Sequence, residues 1–208
     1  MSIYNSGILR WATSCGGPLV LLPQYLLAQW LGCYQWCDEP ERKSDGFETP
    51  HGCLCFNEDF MNPEDSDYGR ACATGVSRAF IKVGSEDALV LDNEYNDDNP
   101  AAWFALPNGN GGIIFQWNYS HIAKDQDDLV QEVFSKRDTL KWQDEADWEF
   151  RSSELILFDS ATAGALLNKD EDDYLIIPIE PGSYSVTTAE YYHSKDFKLL
   201  TLHRLILR

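Results

Sequence analysis

Short apolar runs bounded by proline and glycine mark this chain and predict a series of strands. The first run, Leu19 to Leu22, lies between Pro18 and Pro23, which is typical of a short buried strand. The residues that follow recur at helical spacing up to Gly32, at Tyr25, Leu26, Gln29 and Trp30. This spacing predicts a short N-terminal helix that the glycine closes.

Two hairpins are predicted in the middle of the chain. Residues 78–84 and 87–93 are apolar segments separated by a short glycine-containing turn. Residues 101–106 and 112–117 flank the Pro-Asn-Gly-Asn-Gly sequence at 107–111. Asparagine and glycine supply the positive φ angles that such turns need, so this is the strongest hairpin signal in the chain.

Further strands are predicted towards the C-terminus. Residues 148–160 contain a hairpin candidate, and 174–180 have the composition of a strand. Pro and Gly occupy the middle of a predicted type II turn at 180–183. That turn leads into strands at 184–192 and 198–207, whose apolar residues on both faces indicate central positions in a sheet.

One clear amphipathic helix is predicted at about 121–136, with Ser120 available as its N-cap. The outer face of this helix is acidic, and the aspartates of its first half are favoured by the helix dipole. We expect Leu129, Val133 and Phe134 to be buried and Asp125 and Asp128 to be exposed.

The predicted fold is therefore α+β: a mainly antiparallel β-sheet domain with one clear amphipathic helix and one short N-terminal helix. We expect a single domain over residues 1–208. Residues 38–66 are rich in proline, glycine and acids and show little periodicity, so they predict an irregular acidic insertion.

Net charge narrows the classes of partner. The chain has 34 acidic and 16 basic side chains, a formal net charge of −18. Such a surface repels nucleic acid and anionic membranes and attracts basic proteins, although acidity also serves solubility alone. The longest apolar run of the N-terminal region has the length of a strand and falls short of a secretory signal, so we expect a cytoplasmic protein.

No cofactor, metal site or catalytic centre is predicted. The six cysteines have only loose metal-site spacing, and free thiols are expected in a protein that is not exported. The sequence lacks G-x-S-x-G and H-E-x-x-H motifs, and its four histidines are dispersed. His203 lies within an aliphatic strand and is interpreted as a core histidine with satisfied hydrogen bonds.

Three acidic runs, at 96–99, 125–128 and 169–173, have two interpretations. Runs of this kind usually form solvated faces. Brought onto one face, they would instead present carboxylates to the positive groove of a nuclease or another basic protein. The candidate partner-binding residues are Asp97, Asp98, Asp125, Asp127, Asp128, Asp170, Glu171, Asp172 and Asp173.

Several motifs together resemble the immunity protein 21 family of bacterial polymorphic toxin systems. They are W-x2-S-x-GGPLVLLP from Trp11 to Pro23, DYGRAC at 67–72, ALVLDN at 88–93, LILFDSA at 155–161, PGSYSVTTAEYY at 181–192 and LTLHRLIL at 200–207. The resemblance covers the ends and the middle of the chain but not residues 38–66.

This resemblance implies a cytosolic protein without enzymatic activity that binds and neutralises a cognate toxin. The toxin itself is not identified by it, and a basic toxin domain is the partner that the charge favours. Gly16, Gly17, Pro18 and Tyr184 are interpreted as determinants of the fold. The alternative function is a small hydrolase, or a small-ligand-binding domain that uses an aromatic cleft. The seven tryptophans would suit such a cleft, although Trp103 and Trp117 lie in predicted strands where core packing explains them equally well.

Overall fold

A computed structural model describes residues 10–37, 46–92, 100–118, 126–168, 174–194 and 197–208 of the protein. Within these residues the chain forms thirteen strands, arranged in two five-stranded antiparallel sheets and one three-stranded antiparallel sheet. The predicted α+β fold, mainly antiparallel β, is confirmed. Three of these strands were not predicted from the sequence, because segments of three to five residues are too short to show an alternation.

The first five-stranded sheet has β1 at its centre. Its order is β11 (Leu175–Pro178), β10 (Glu154–Asp159), β1 (Leu19–Pro23), β6 (Glu86–Leu91) and β5 (Arg78–Val83). All five residues of β1 are buried, which confirms the strand predicted from the proline-bounded run. The β5–β6 hairpin is also confirmed, and Gly84 takes φ +60° at its turn, where a side chain would be strained.

The second five-stranded sheet has β13 at its centre. Its order is β7 (Ala101–Ala105), β8 (Gly111–Trp117), β13 (Phe197–Leu207), β12 (Gly182–Ser194) and β9 (Gln143–Phe150). The predicted β7–β8 and β12–β13 hairpins are both confirmed. The interior positions of β12 and β13 explain why both faces of these strands are apolar.

The hairpin predicted within residues 148–160 is wrong. The strand β9 pairs with β12, whereas β10 pairs with β1 and β11 in the other sheet. The short connection between them is a corner that carries the chain from one sheet to the other. It is held by a 3.1 Å hydrogen bond that the backbone nitrogen of Glu154 donates to the Oγ of Ser152. Hydrophobic spacing and a polar turn are common to both arrangements, so the local sequence could not distinguish them.

The two five-stranded sheets pack face to face as a sandwich. Its core contains side chains from both, among them Leu19, Leu21 and Leu89 from the first sheet and Ile114, Trp148 and Tyr184 from the second. Tyr184 stacks on Phe150 at 4.9 Å, and its hydroxyl donates a 2.6 Å hydrogen bond to the carbonyl of Glu180. These contacts support the interpretation of Tyr184 as a determinant of the fold.

Helices cover the outer faces of both sheets. The helix α1 spans Asp67–Cys72, and the described part of α2 spans Gln126–Ser135. The helix α2 packs on the β13 sheet with Leu129, Val133 and Phe134 buried and Asp128 exposed, as predicted, while Asp125 lies outside the described residues. The predicted short N-terminal helix is a 3₁₀ helix at Gln24–Gln29, which covers the β1 sheet together with α1.

The glycine pair before β1 has a defined packing role. Gly16 takes φ +101°, and a Cβ on Gly17 would lie 2.7 Å from the ring of Tyr68 in α1. The Oγ of Ser14 donates a 2.6 Å hydrogen bond to the carbonyl of Gly17 and closes this turn. Gly16 therefore supplies a backbone conformation that side chains strain, and Gly17 allows the close approach of the Tyr68 ring.

The sequence had predicted that the segment 38–66 is irregular, but part of it forms strands. Within it, β3 (Phe47–Thr49) and β4 (Gly52–Phe56) form a hairpin, and β2 (Tyr34–Trp36) completes a three-stranded sheet of order β2-β4-β3. Residues 38–45 lie outside the described residues. Strands of three to five residues leave little periodicity, so composition dominated the prediction.

Candidate interaction surface

The predicted acidic site falls largely outside the described residues. Asp97, Asp98, Asp125, Asp170, Glu171, Asp172 and Asp173 all lie there, and of Asp127 only the backbone, in α2, is described. Asp128 is exposed on the outer face of α2. That the three runs share one face therefore stays a prediction.

An acidic edge that the sequence analysis missed lies on β9. Asp144, Glu145, Asp147 and Glu149 are exposed along this edge strand of the β13 sheet. Hydrogen bonds from Ser185 and Arg208 lower the pKa of Glu145, whose Oε1 lies 2.7 Å and 2.8 Å from them. Charges on an edge strand prevent it from pairing with a strand of another protein. This role explains the acidic side chains of β9 without a binding partner.

The small sheet carries an aromatic face. Its register places Tyr34 opposite Phe56, and both Trp36 and Phe47 opposite Leu54, so all five side chains lie on the same face. The ring of Tyr34 meets Phe47 edge-on at 5.7 Å and Phe56 at 6.1 Å. Leu54, in the middle of this face, is fully buried.

The aromatic contacts continue beyond the sheet. Phe56 lies 5.2 Å from Phe60, and Phe60 lies 5.9 Å from Tyr68. We call these five residues, Phe47, Tyr34, Phe56, Phe60 and Tyr68, the aromatic row. Phe47 is 50% exposed and Phe56 51% exposed, so the row presents open ring surface to solvent.

The opposite face of the small sheet carries thiols. Cys53 and Cys55 are buried, and the Sγ of Cys37 lies 3.2 Å from that of Cys53 as a non-bonded contact. Desolvation, reinforced by the neighbouring thiols, raises the pKa of Cys37 to about 12. All six cysteines are free, and among the described residues no group of His, Cys, Asp or Glu is arranged to hold a metal ion.

Carboxylates surround the aromatic row. Residues 46–68 contain six acidic side chains and neither lysine nor arginine. Glu58, Asp59, Glu64 and Asp65 are exposed in the turns between β4 and α1. These turns are ordered by side chains, since the amide of Asn57 donates a 3.0 Å hydrogen bond to the carbonyl of Asp65.

The described histidines do not form a catalytic group. His203 is buried, with Nε2 2.6 Å from Oε1 of Gln116 and Nδ1 3.1 Å from Oγ1 of Thr188, which confirms its interpretation as a core residue. His51 is exposed on the small sheet. His121 lies outside the described residues, as does the side chain of His193.

Trp103 and Trp117 pack in the core, the interpretation that their strand positions had favoured equally with a ligand cleft. Trp117 is buried under α2, and Trp103 packs against the sandwich core.

An open depression of about 330 Å³ is lined by Asn108, Arg137 and Arg204 among others. A guanidinium–aromatic contact holds Arg204 over Trp142 at 4.2 Å.

Comparisons with known proteins identify the family to which this chain belongs. Within the part of the chain that the structure describes, no helix is both long and apolar enough to cross a membrane. Searches of curated proteins and of solved structures found no match. The family model of Immunity protein 21 matches residues 10–196. Because that range covers most of the chain, including every strand from β1 to β12 and both helices, the chain belongs to the Immunity protein 21 family.

Proposed function

We propose that this chain is the immunity protein of a bacterial polymorphic toxin system. It binds its cognate toxin in the cytoplasm and neutralises it by protein–protein contact, without enzymatic activity or a cofactor. The observation that carries the proposal is the family match over residues 10–196.

The charge of the chain supports a basic toxin. A formal net charge of −18 attracts a positively charged domain, such as that of a nuclease, from a distance and accelerates its encounter with the protein. Many nuclease domains bind phosphate backbones through lysine and arginine, and an acidic protein competes for the same surface. The acidic runs are the proposed steering residues.

A growth assay tests the proposal. The candidate toxin domain is taken from the gene next to that of this chain and is produced in a bacterial host, with and without this chain. We expect growth arrest with the toxin domain alone and normal growth when the chain is present. An unrelated acidic protein of similar size and charge serves as the control and should not protect. Arrest that persists in the presence of folded chain contradicts the proposal.

A further inference from the structure

Exposed apolar surface is concentrated on the small sheet. Eight large hydrophobic side chains are exposed among the described residues, and four of them, Trp36, Phe47, Phe56 and Met61, lie between positions 36 and 61. Clustered apolar exposure of this kind is unfavourable in water and marks interaction sites in soluble proteins. The other four are spread over separate elements of the fold: Tyr25, Val76, Ile176 and Tyr192.

The rings of the aromatic row are held in place before any partner arrives. Tyr34 contacts both Phe47 and Phe56, and Phe56 also contacts Phe60. Side chains that are already ordered lose little conformational entropy on binding, which favours high affinity.

The chemistry around the row selects a cationic partner. Open aromatic faces attract a guanidinium through cation–π contact, and arginine also forms bidentate bonds with carboxylates. Glu58 and Asp59 follow the end of β4 at Phe56 after the buried Asn57, and both are exposed. A surface of aromatic rings with an acidic border matches the anatomy of a protein interface whose partner contributes arginines.

We propose that the aromatic row and its acidic border are the docking surface for the toxin, and that the toxin contributes a basic, arginine-bearing segment that lies across Phe47 and Phe56. This inference rests on the proposed function. It identifies the surface and the chemistry of the contact, neither of which follows from the net charge of the whole chain.

The decisive variant removes the two exposed rings. The probe is the toxin domain encoded beside the gene, inactivated by substitution in its own active site. For Phe47→Ala/Phe56→Ala we expect the Kd to rise at least about tenfold, because aromatic residues at interface centres dominate binding energy. The matched control is Tyr25→Ala, which truncates an aromatic residue that is 47% exposed on the 3₁₀ helix and should leave the Kd unchanged.

A second variant leaves the rings and their packing intact. Glu58→Lys/Asp59→Lys reverses two exposed charges and should slow association and weaken its salt dependence. If the native chain binds the toxin domain while both double variants bind equally well, the docking surface is wrong and the proposed function stands. If the native chain itself does not bind, the proposed function fails with it.

Discussion

Thr188 and His203 face each other across β12 and β13, with Oγ1 of the threonine 3.1 Å from Nδ1 of the histidine. On its other side the imidazole meets the side-chain carbonyl of Gln116 at 2.6 Å. This arrangement fits a neutral ring that donates from Nε2 to Gln116 and accepts at Nδ1 from Thr188. Three strands are thereby joined through one buried polar side chain.

Replacing this histidine should destabilise the fold. His203→Leu removes the hydrogen bonds that the imidazole makes with Gln116 and Thr188 in a buried place, which costs about 2 kcal/mol of unfolding free energy. Urea denaturation measures the loss. His51→Leu, at an exposed position, is the control and should change stability by less than about 0.5 kcal/mol. Equal stability of both variants would show that the hydrogen bonds of His203 contribute nothing.

The amphipathic helix offers a matched pair of substitutions. Leu129 is buried against the β13 sheet, whereas Gln131 on the same helix is exposed. Leu129→Asp places a charge in apolar surroundings and should lower the unfolding free energy by about 3 kcal/mol or more. Gln131→Asp introduces the same residue and should stay within about 0.5 kcal/mol of the native chain.

Thermal melts of both aspartate variants decide this point. A Leu129→Asp protein that melts with the native chain would mean that α2 does not pack on the sheet. If Gln131→Asp loses as much stability as Leu129→Asp, the loss comes from the low helix propensity of aspartate and not from the burial of position 129.

Cys33 gives the protein a pH dependence on the alkaline side. Burial, reinforced by Asp159 and Cys72, raises the pKa of this thiol to about 12, against about 8.5 for an unfolded cysteine. Between these values the folded state binds more protons than the unfolded state, so the unfolding free energy falls as pH rises. The stabilisation is fully present below about pH 8.5.

Two measurements check the state of Cys33. Denaturation between pH 8 and 11 should show a smaller loss of stability in Cys33→Ala than in the native chain. Iodoacetamide at pH 8 should modify the exposed Cys15 first and Cys33 more than about 100-fold more slowly, because the thiolate is the reactive form. Alkylation of both thiols at similar rates would contradict the raised pKa.

The acidic runs are tested by charge reversal. Asp97/Asp98, Asp127/Asp128 and Asp172/Asp173 are changed in pairs to lysine, and the rate of association with the toxin domain is followed at rising salt. We expect slower association and a Tm close to that of the native chain, because exposed charges contribute little to folding. A rate that responds neither to salt nor to any of the three reversals would remove the runs from the encounter.

Local patterns predicted those elements whose burial is visible in the sequence itself. The apolar run at Leu19–Pro23 and the apolar face of α2 with Leu129 and Phe134 were both identified correctly, since a fully buried strand is a continuous apolar run and a helix packed on one side repeats its apolar residues at helical spacing. The corner between β9 and β10 was missed, because the choice between sheets depends on partners more than twenty residues away.

The aromatic row shows the same limit. Tyr34 and Phe56 belong to strands of three and five residues whose pairing spans an acidic, proline-rich segment. Their meeting could not be inferred from either stretch alone. The sequence nevertheless contained an indication of this surface, since Phe47, Phe56 and Phe60 are large apolar residues in a segment that is rich in acidic side chains.

The central claim is that this chain neutralises a toxin by binding it. The most direct measurement is isothermal titration of the purified native chain with the inactivated toxin domain encoded beside its gene. The account predicts a one-to-one complex with a Kd of about 1 nM or tighter, as expected for a protein that must silence a lethal partner at cellular concentrations. Heat absent at micromolar concentrations of both folded proteins would contradict it.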